Sequence, residues 1–167
     1  MAKKITGYSR PQVALHWIVV VLVAFQFLAH DGMEASWRAF LNDEPPPAGR
    51  VVLTYMHIAA GSLVLLLALA RIYLRFTRGA PAPPADEPRL LQIVAEAVHG
   101  LIYLLLLALP ITGAIAWFIG LETAGIVHEK LQTILLVAIA LHIAGALFQH
   151  FVRRSTVLMR MFRPEHS

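Results

Sequence analysis

Four stretches of this sequence carry no Asp, Glu, Lys or Arg, and each is long enough to cross a lipid bilayer. They are the 20 residues between Arg10 and Asp31, the 20 between Arg50 and Arg71, the 25 between Glu96 and Glu122, and the 22 between Lys130 and Arg153. A helix crosses the roughly 30 Å hydrocarbon core in about 20 residues. Hydrocarbon offers no water to satisfy backbone N–H and C=O groups, so such runs are read as helices. The predicted spans are about 11–31, 51–75, 91–119 and 124–152, good to a few residues at each end. They make an all-α, four-helix transmembrane bundle, one membrane domain over residues 1–167. Composition excludes the alternatives. The chain is 58% hydrophobic and 14% charged, with a mean hydropathy of +0.67, against about 45–50% and 25% in soluble domains. Disorder needs low hydrophobicity.

The breaks between windows are marked by proline and glycine. Glu44-Pro45-Pro46-Pro47-Ala48-Gly49 and Gly79-Ala80-Pro81-Ala82-Pro83-Pro84 cannot continue a helix. The third loop is short, about Gly120 to Thr123, and Pro110 predicts a kink within the third span. The first window is expected to be a span rather than a cleaved leader, because no small-residue cleavage site follows it.

Basic residues set the expected orientation. Lys3, Lys4, Arg10, Arg71, Arg75, Arg78, Arg89, Arg153, Arg154, Arg160 and Arg163 fall on one side, against Arg38, Arg50 and Lys130 on the other. Both termini are therefore expected to face the cytoplasm. Adding the acidic residues leaves the inner face at +7 and the outer face at −3. The pI of about 9.9 is thus read as a topology signal, and no nucleic-acid partner is expected.

Eight histidines and no cysteine are the chemical signature of the chain. Without cysteine there is no thiolate metal site, iron–sulfur cluster or covalently attached haem. Six histidines, His16, His57, His99, His128, His142 and His150, fall within or at the ends of the spans, where ionisable side chains usually face the bundle interior and mark function. His30 and His166 are read as solvated surface residues.

The fourth span is the informative one. His128 and His142 are 14 residues apart, about four full turns, so they share a face some 21 Å apart in depth. They cannot bind one metal ion together, but each can ligate its own planar cofactor. Haem is the natural candidate, since its iron takes an imidazole on each side. Depth pairs His57 with His128 near the outer face and His16 with His142 toward the inner face. Two such haems are six-coordinate, which suits electron transfer better than oxygen binding. His150 rivals His142 as inner ligand but lies about 80° off that face. His99 has no evident partner at the inner haem. Gly61 and Gly145 lie one turn from His57 and His142, where a glycine admits either a porphyrin plate or a close helix. Arg71 and Arg75 end the second span, placed either to pair with propionates of the inner haem or as ordinary positive-inside flanks.

Four fragments in order, one per span, resemble a known family. They are Tyr8-Ser9-Arg10-Pro11-Gln12-Val13-Ala14-Leu15-His16-Trp17; His57-Ile58-Ala59-Ala60-Gly61; His99-Gly100-Leu101-Ile102-Tyr103 with Ala108-Leu109-Pro110-Ile111-Thr112-Gly113; and His128-Glu129 with Leu141-His142. With the Leu158-Met159-Arg160-Met161 tail, the chain is similar over nearly its whole length to the bacterial cytochrome b561 family of the inner membrane. The resemblance implies two non-covalent haem b groups on His16, His57, His128 and His142, and electron exchange between ubiquinone and an outer-face partner. Some members are superoxide oxidases, which oxidise superoxide outside and reduce ubiquinone near the inner haem. His150 matches a position on the quinone side, and His99, Arg75 and Glu96 join it as candidates by depth and polarity. The expected activity is superoxide:ubiquinone oxidoreduction. The alternative is a cytochrome b subunit relaying electrons between the quinone pool and a periplasmic redox protein, and a haem-free scaffold or transporter is the remaining option. The outer face departs from the first expectation. Collecting an anion calls for positive potential, and only Arg38, Arg50 and Lys130 supply it there.

Overall fold

The computed structural model describes residues 7–165, so Lys3, Lys4 and His166 lie outside the described residues. The regular elements of the described chain are all helices: α1 (Arg10–Leu28), α2 (His30–Leu41), α3 (Val51–Arg78), α4 (Arg89–Ile119) and α5 (Glu122–Phe151), with a short 3₁₀ turn at Leu158–Met161. The four long helices α1, α3, α4 and α5 are each long and apolar enough to cross a membrane. Only 11–22% of the most apolar window of each is buried inside the bundle. Leu66, Phe76, Leu104, Val21 and Phe118 point outward, an arrangement that water penalises and lipid does not.

The helix α2 differs from the expected loop, and it ends the first span at Leu28 rather than near residue 31. It is a short amphipathic helix whose buried residues, Gly32, Ser36 and Ala39, recur at helical spacing. These small side chains let it lie close on α3. A Cβ at Gly32 would stand 2.9 Å from Cβ of Leu53, and Thr54 Oγ1 donates to Ser36 Oγ at 2.7 Å in a buried pair. Trp37 stacks on Phe40 with ring centres 5.4 Å apart, and Phe40 on Trp117 of α4 at 5.7 Å. The helix therefore caps the end of the bundle away from the termini, the end expected to face outward.

The other boundaries follow local chemistry. Ser9 N–H donates to Gln12 Oε1 at 3.0 Å at the start of α1. Gly79 ends α3 and Gly120 ends α4, both at positive φ, 76° and 74°. Helix α4 runs on through Pro110, and only Gly120 and Leu121 separate α4 from α5.

Helix α4 packs along α5, α1 along α3, and α3 along α4, while α1 and α5 make no comparable contact among the described residues. The buried core lies at mid-depth and is made of Val19, Val23, Val64, Ala68, Leu105, Leu106, Leu109, Leu135 and Ala138. At the opposite end, the one expected to face inward, Trp17 Nε1 donates to the carbonyl of Met161 at 2.8 Å, Arg160 to that of Ala82 at 2.8 Å, and Arg153 pairs with Asp86 at 3.0 Å. The C-terminal segment is thereby tied across the second loop and the start of the bundle.

Candidate functional site

The bundle brings its histidines together in two places, above and below the core. Toward the outer end His57 of α3 faces His128 of α5, with ring centres 6.4 Å apart. Toward the inner end His16 of α1 faces His142 of α5 at 6.3 Å. These are the two pairs expected from depth. His150 is not beside His16; its ring contact is with its neighbour Phe151 at 4.8 Å.

The two separations carry chemical information. A metal–imidazole bond is about 2.0–2.1 Å, so two imidazoles on opposite sides of one metal hold their ring centres roughly 6.3 Å apart. The donor set points the same way. No three His, Asp or Glu side chains among the described residues are grouped to hold a metal ion, so a tetrahedral all-protein site is not built. A metal that arrives already held in a cofactor ring would need only the two imidazoles each pair offers. Nδ1 of His16 and Nδ1 of His57 are buried without hydrogen-bond partners, and the His57/His128 pair borders an open cavity. The histidines fit haem.

The outer pair lines a cavity of about 410 Å³ that reaches from Leu135 and Leu106 up to Trp37 and Trp117 beneath the α2 cap. That volume lies within the range of cofactor pockets, about 300–1,000 Å³. His128 is held firmly there. Its Nδ1 donates to the carbonyl of Leu109 at 2.9 Å, leaving Nε2 free for a ligand. Gly113 makes this approach possible, since a Cβ there would stand 3.1 Å from the ring. His30 keeps a side chain that is 38% exposed. It is half-buried, lines the same cavity and lies 3.8 Å from Glu34, whose other oxygen is 3.4 Å from Arg38. The ionisable side chains lining this cavity, besides histidine, are Glu34, Glu122 and Glu129.

At the inner site His99 of α4 does have a neighbour. Its ring lies edge-on to His142 at 4.9 Å, too close for a metal between them, and its Nδ1 donates to the carbonyl of Ala95. Arg71 is half-buried within electrostatic reach of His16, His99 and His142, and lies 5.6 Å over the ring of Tyr103. Arg75 is exposed and faces Tyr8, which stands before the first span. Burial pushes the Tyr8 phenol up, and Arg75 acts against that. Neither Arg71 nor Arg75 has a carboxylate partner among the described residues. Glu96 is exposed on the first turns of α4. A Cβ at Gly145 would meet nothing within 4 Å, so the space beside His142 is open. A Cβ at Gly61 would instead stand 2.9 Å from Nε2 of Gln26, whose amide donates to the carbonyl of His57 at 3.0 Å. Gly61 therefore makes room for a side chain of α1. Sequence reasoning missed Gln26, although a carboxamide near the end of the first charge-free window was the available signal.

The sequence model of a family described as prokaryotic cytochrome b561 matches residues 7–164. The chain is 35% identical to cytochrome b562 of Cereibacter sphaeroides over 95% of its own length and 96% of that protein. It is 27% identical to cytochrome b561 homolog 1 of Escherichia coli, covering 92% of this chain and 96% of the other. It is also 27% identical to the probable superoxide oxidase CybB of Yersinia pestis, covering 92% and 94%.

Proposed function

The chain belongs to the prokaryotic cytochrome b561 family, a family of haem b membrane electron-transfer proteins, and on that premise we propose that it carries two haems and moves electrons between the outer face of the bacterial inner membrane and ubiquinone. The observation that carries this reading is the pair of histidine couples, His57/His128 and His16/His142, at 6.4 and 6.3 Å. When bound, each haem supplies a one-electron carrier that cycles between ferric and ferrous iron.

The residues of this chain then have distinct tasks. His57 and His128 hold the outer group, and His16 and His142 the inner one. Leu109 orients His128 through its carbonyl. The core around Leu105, Leu135 and Ala138 excludes water and protons between the two sites, which keeps the membrane sealed. Arg71 and Arg75 offer positive charge to propionates at the inner site. His99, His150 and Glu96 stand on the inner side as candidates for quinone contact and proton delivery. Both termini face the cytoplasm in this reading, as the excess of basic residues on that side implies.

Superoxide is the first donor to test, because one relative is named a probable superoxide oxidase. The overall reaction balances when two superoxide ions each lose one electron to become O₂, and ubiquinone takes the two electrons with two protons. The rim of Glu34, Glu122 and Glu129 favours a second reading, in which the donor is a redox protein with a basic face. The purified chain, given superoxide generated in solution and a soluble ubiquinone analogue, separates them. Quinol formation that superoxide dismutase abolishes is expected. No quinol under these conditions would contradict the superoxide reading and leave the redox protein as donor.

A further inference from the structure

Nothing in the family likeness says what orients His57, and its environment differs from that of its partner. His128 has the carbonyl of Leu109 on its Nδ1. Nδ1 of His57 is buried with no partner. A ligating imidazole almost always gives its second ring N–H to an oxygen acceptor, which fixes the ring and raises its basicity. An acceptor for His57 is therefore missing from the ordinary complement.

One unused acceptor belongs to a side chain anchored on His57 itself. Gln26 Oε1 is buried and without a partner. Its amide is anchored at His57 itself, because Nε2 donates to the carbonyl of that residue at 3.0 Å. Both side chains line the outer cavity. The notch that admits the amide is Gly61, where a Cβ would stand 2.9 Å from Nε2. An unpaired carboxamide oxygen inside a span is costly, and so is an unpaired imidazole N–H. The two are complementary, and the terminal torsion of a glutamine is soft.

We propose that Gln26 is the positioning residue of His57: Nε2 grips the His57 main chain, and Oε1 accepts the ring's Nδ1–H, leaving Nε2 of the ring toward the iron. The inference rests on the bis-histidine reading of the outer site. It makes the outer site asymmetric, with a main-chain carbonyl behind His128 and a side-chain amide behind His57. It also gives Gly61 a role through Gln26 rather than through direct contact with a porphyrin.

The test uses the full-length chain in detergent, with the inner haem as internal reference. Gln26→Leu is expected to weaken outer-haem binding about 10–100-fold, to raise the midpoint potential of that haem alone, and to shift its low-spin ferric EPR signal. Gln26→Glu keeps an acceptor and is expected to restore binding and to lower the potential. Gly61→Ala displaces the amide and is expected to behave like Gln26→Leu. Unchanged outer-haem affinity and potential in Gln26→Leu would overturn the proposal, as would equal losses in Gln26→Leu and Gln26→Glu. If Gln26→Leu incorporates neither haem, the potentials of the other two variants decide: opposite shifts support the proposal and no shift overturns it. His57→Ala in the same series keeps the readings apart, because a variant that retains both haems refutes the bis-histidine site whatever Gln26 does.

Discussion

His128 reaches back 19 residues along the chain to hydrogen-bond the carbonyl of Leu109 on the neighbouring helix, at 2.9 Å. The contact exists because Gly113, one turn beyond Leu109, has no side chain to hold the ring away. Gly113→Val is expected to displace the imidazole and weaken outer-haem binding about 10–100-fold, the usual cost of disturbing a ligand's supporting shell. Haem titration of the purified variant checks this. The inner haem should be unaffected, being about 21 Å away along α5.

At the inner site the expectation is a sharp contrast between neighbours on one helix. His16→Ala or His142→Ala should each remove one haem, while His150→Ala should remove none, because His150 points to Phe151 and not to His16. Haem-to-protein ratios by the pyridine haemochrome method measure it. Loss of a haem in His150→Ala would reverse the inner assignment.

The cap depends on one buried hydroxyl pair. Thr54→Val leaves Ser36 without its 2.7 Å partner, and a buried unsatisfied hydroxyl costs about 1–3 kcal/mol. Protease cleavage within residues 42–50, just after α2, should accelerate in this variant, with the spans intact.

Backbone strain gives an independent check on the fold. Arg154 follows α5 with φ of 54°, a conformation that suits glycine better than any side chain. Arg154→Gly is expected to stabilise the chain by about 0.5–1 kcal/mol. Thermal unfolding in detergent should show a raised Tm.

Topology can be read without background, since the chain contains no cysteine. Cysteine placed at Glu44 should react with a membrane-impermeant maleimide in intact cells, and cysteine placed at Arg78 only after lysis. The opposite pattern would invert the orientation.

The parts of this protein that were legible in its sequence are those fixed by one helix at a time. Charge-free windows gave the four spans, and the spacing of His128 and His142 along a single axis was enough to separate two sites and to pair each by depth. What escaped depends on how helices turn toward one another. His99 beside His142 follows from the rotation of α4 against α5, which no single helix encodes. The cap α2 escaped because its buried face is made of Gly32, Ser36 and Ala39 rather than large apolar residues. Gly61 was legible as a notch, but the side chain that fills it comes from α1, 35 residues earlier in the chain.

The proposal that two histidine couples hold two haems fixes the haem content of the chain. It is tested most directly by the reduced-minus-oxidised spectrum and the haem-to-protein ratio of the purified chain and of His57→Ala. Two haem b per wild-type chain and one in the variant are expected, with the remaining haem still low-spin. One haem in the wild type, or two in His57→Ala, would contradict it.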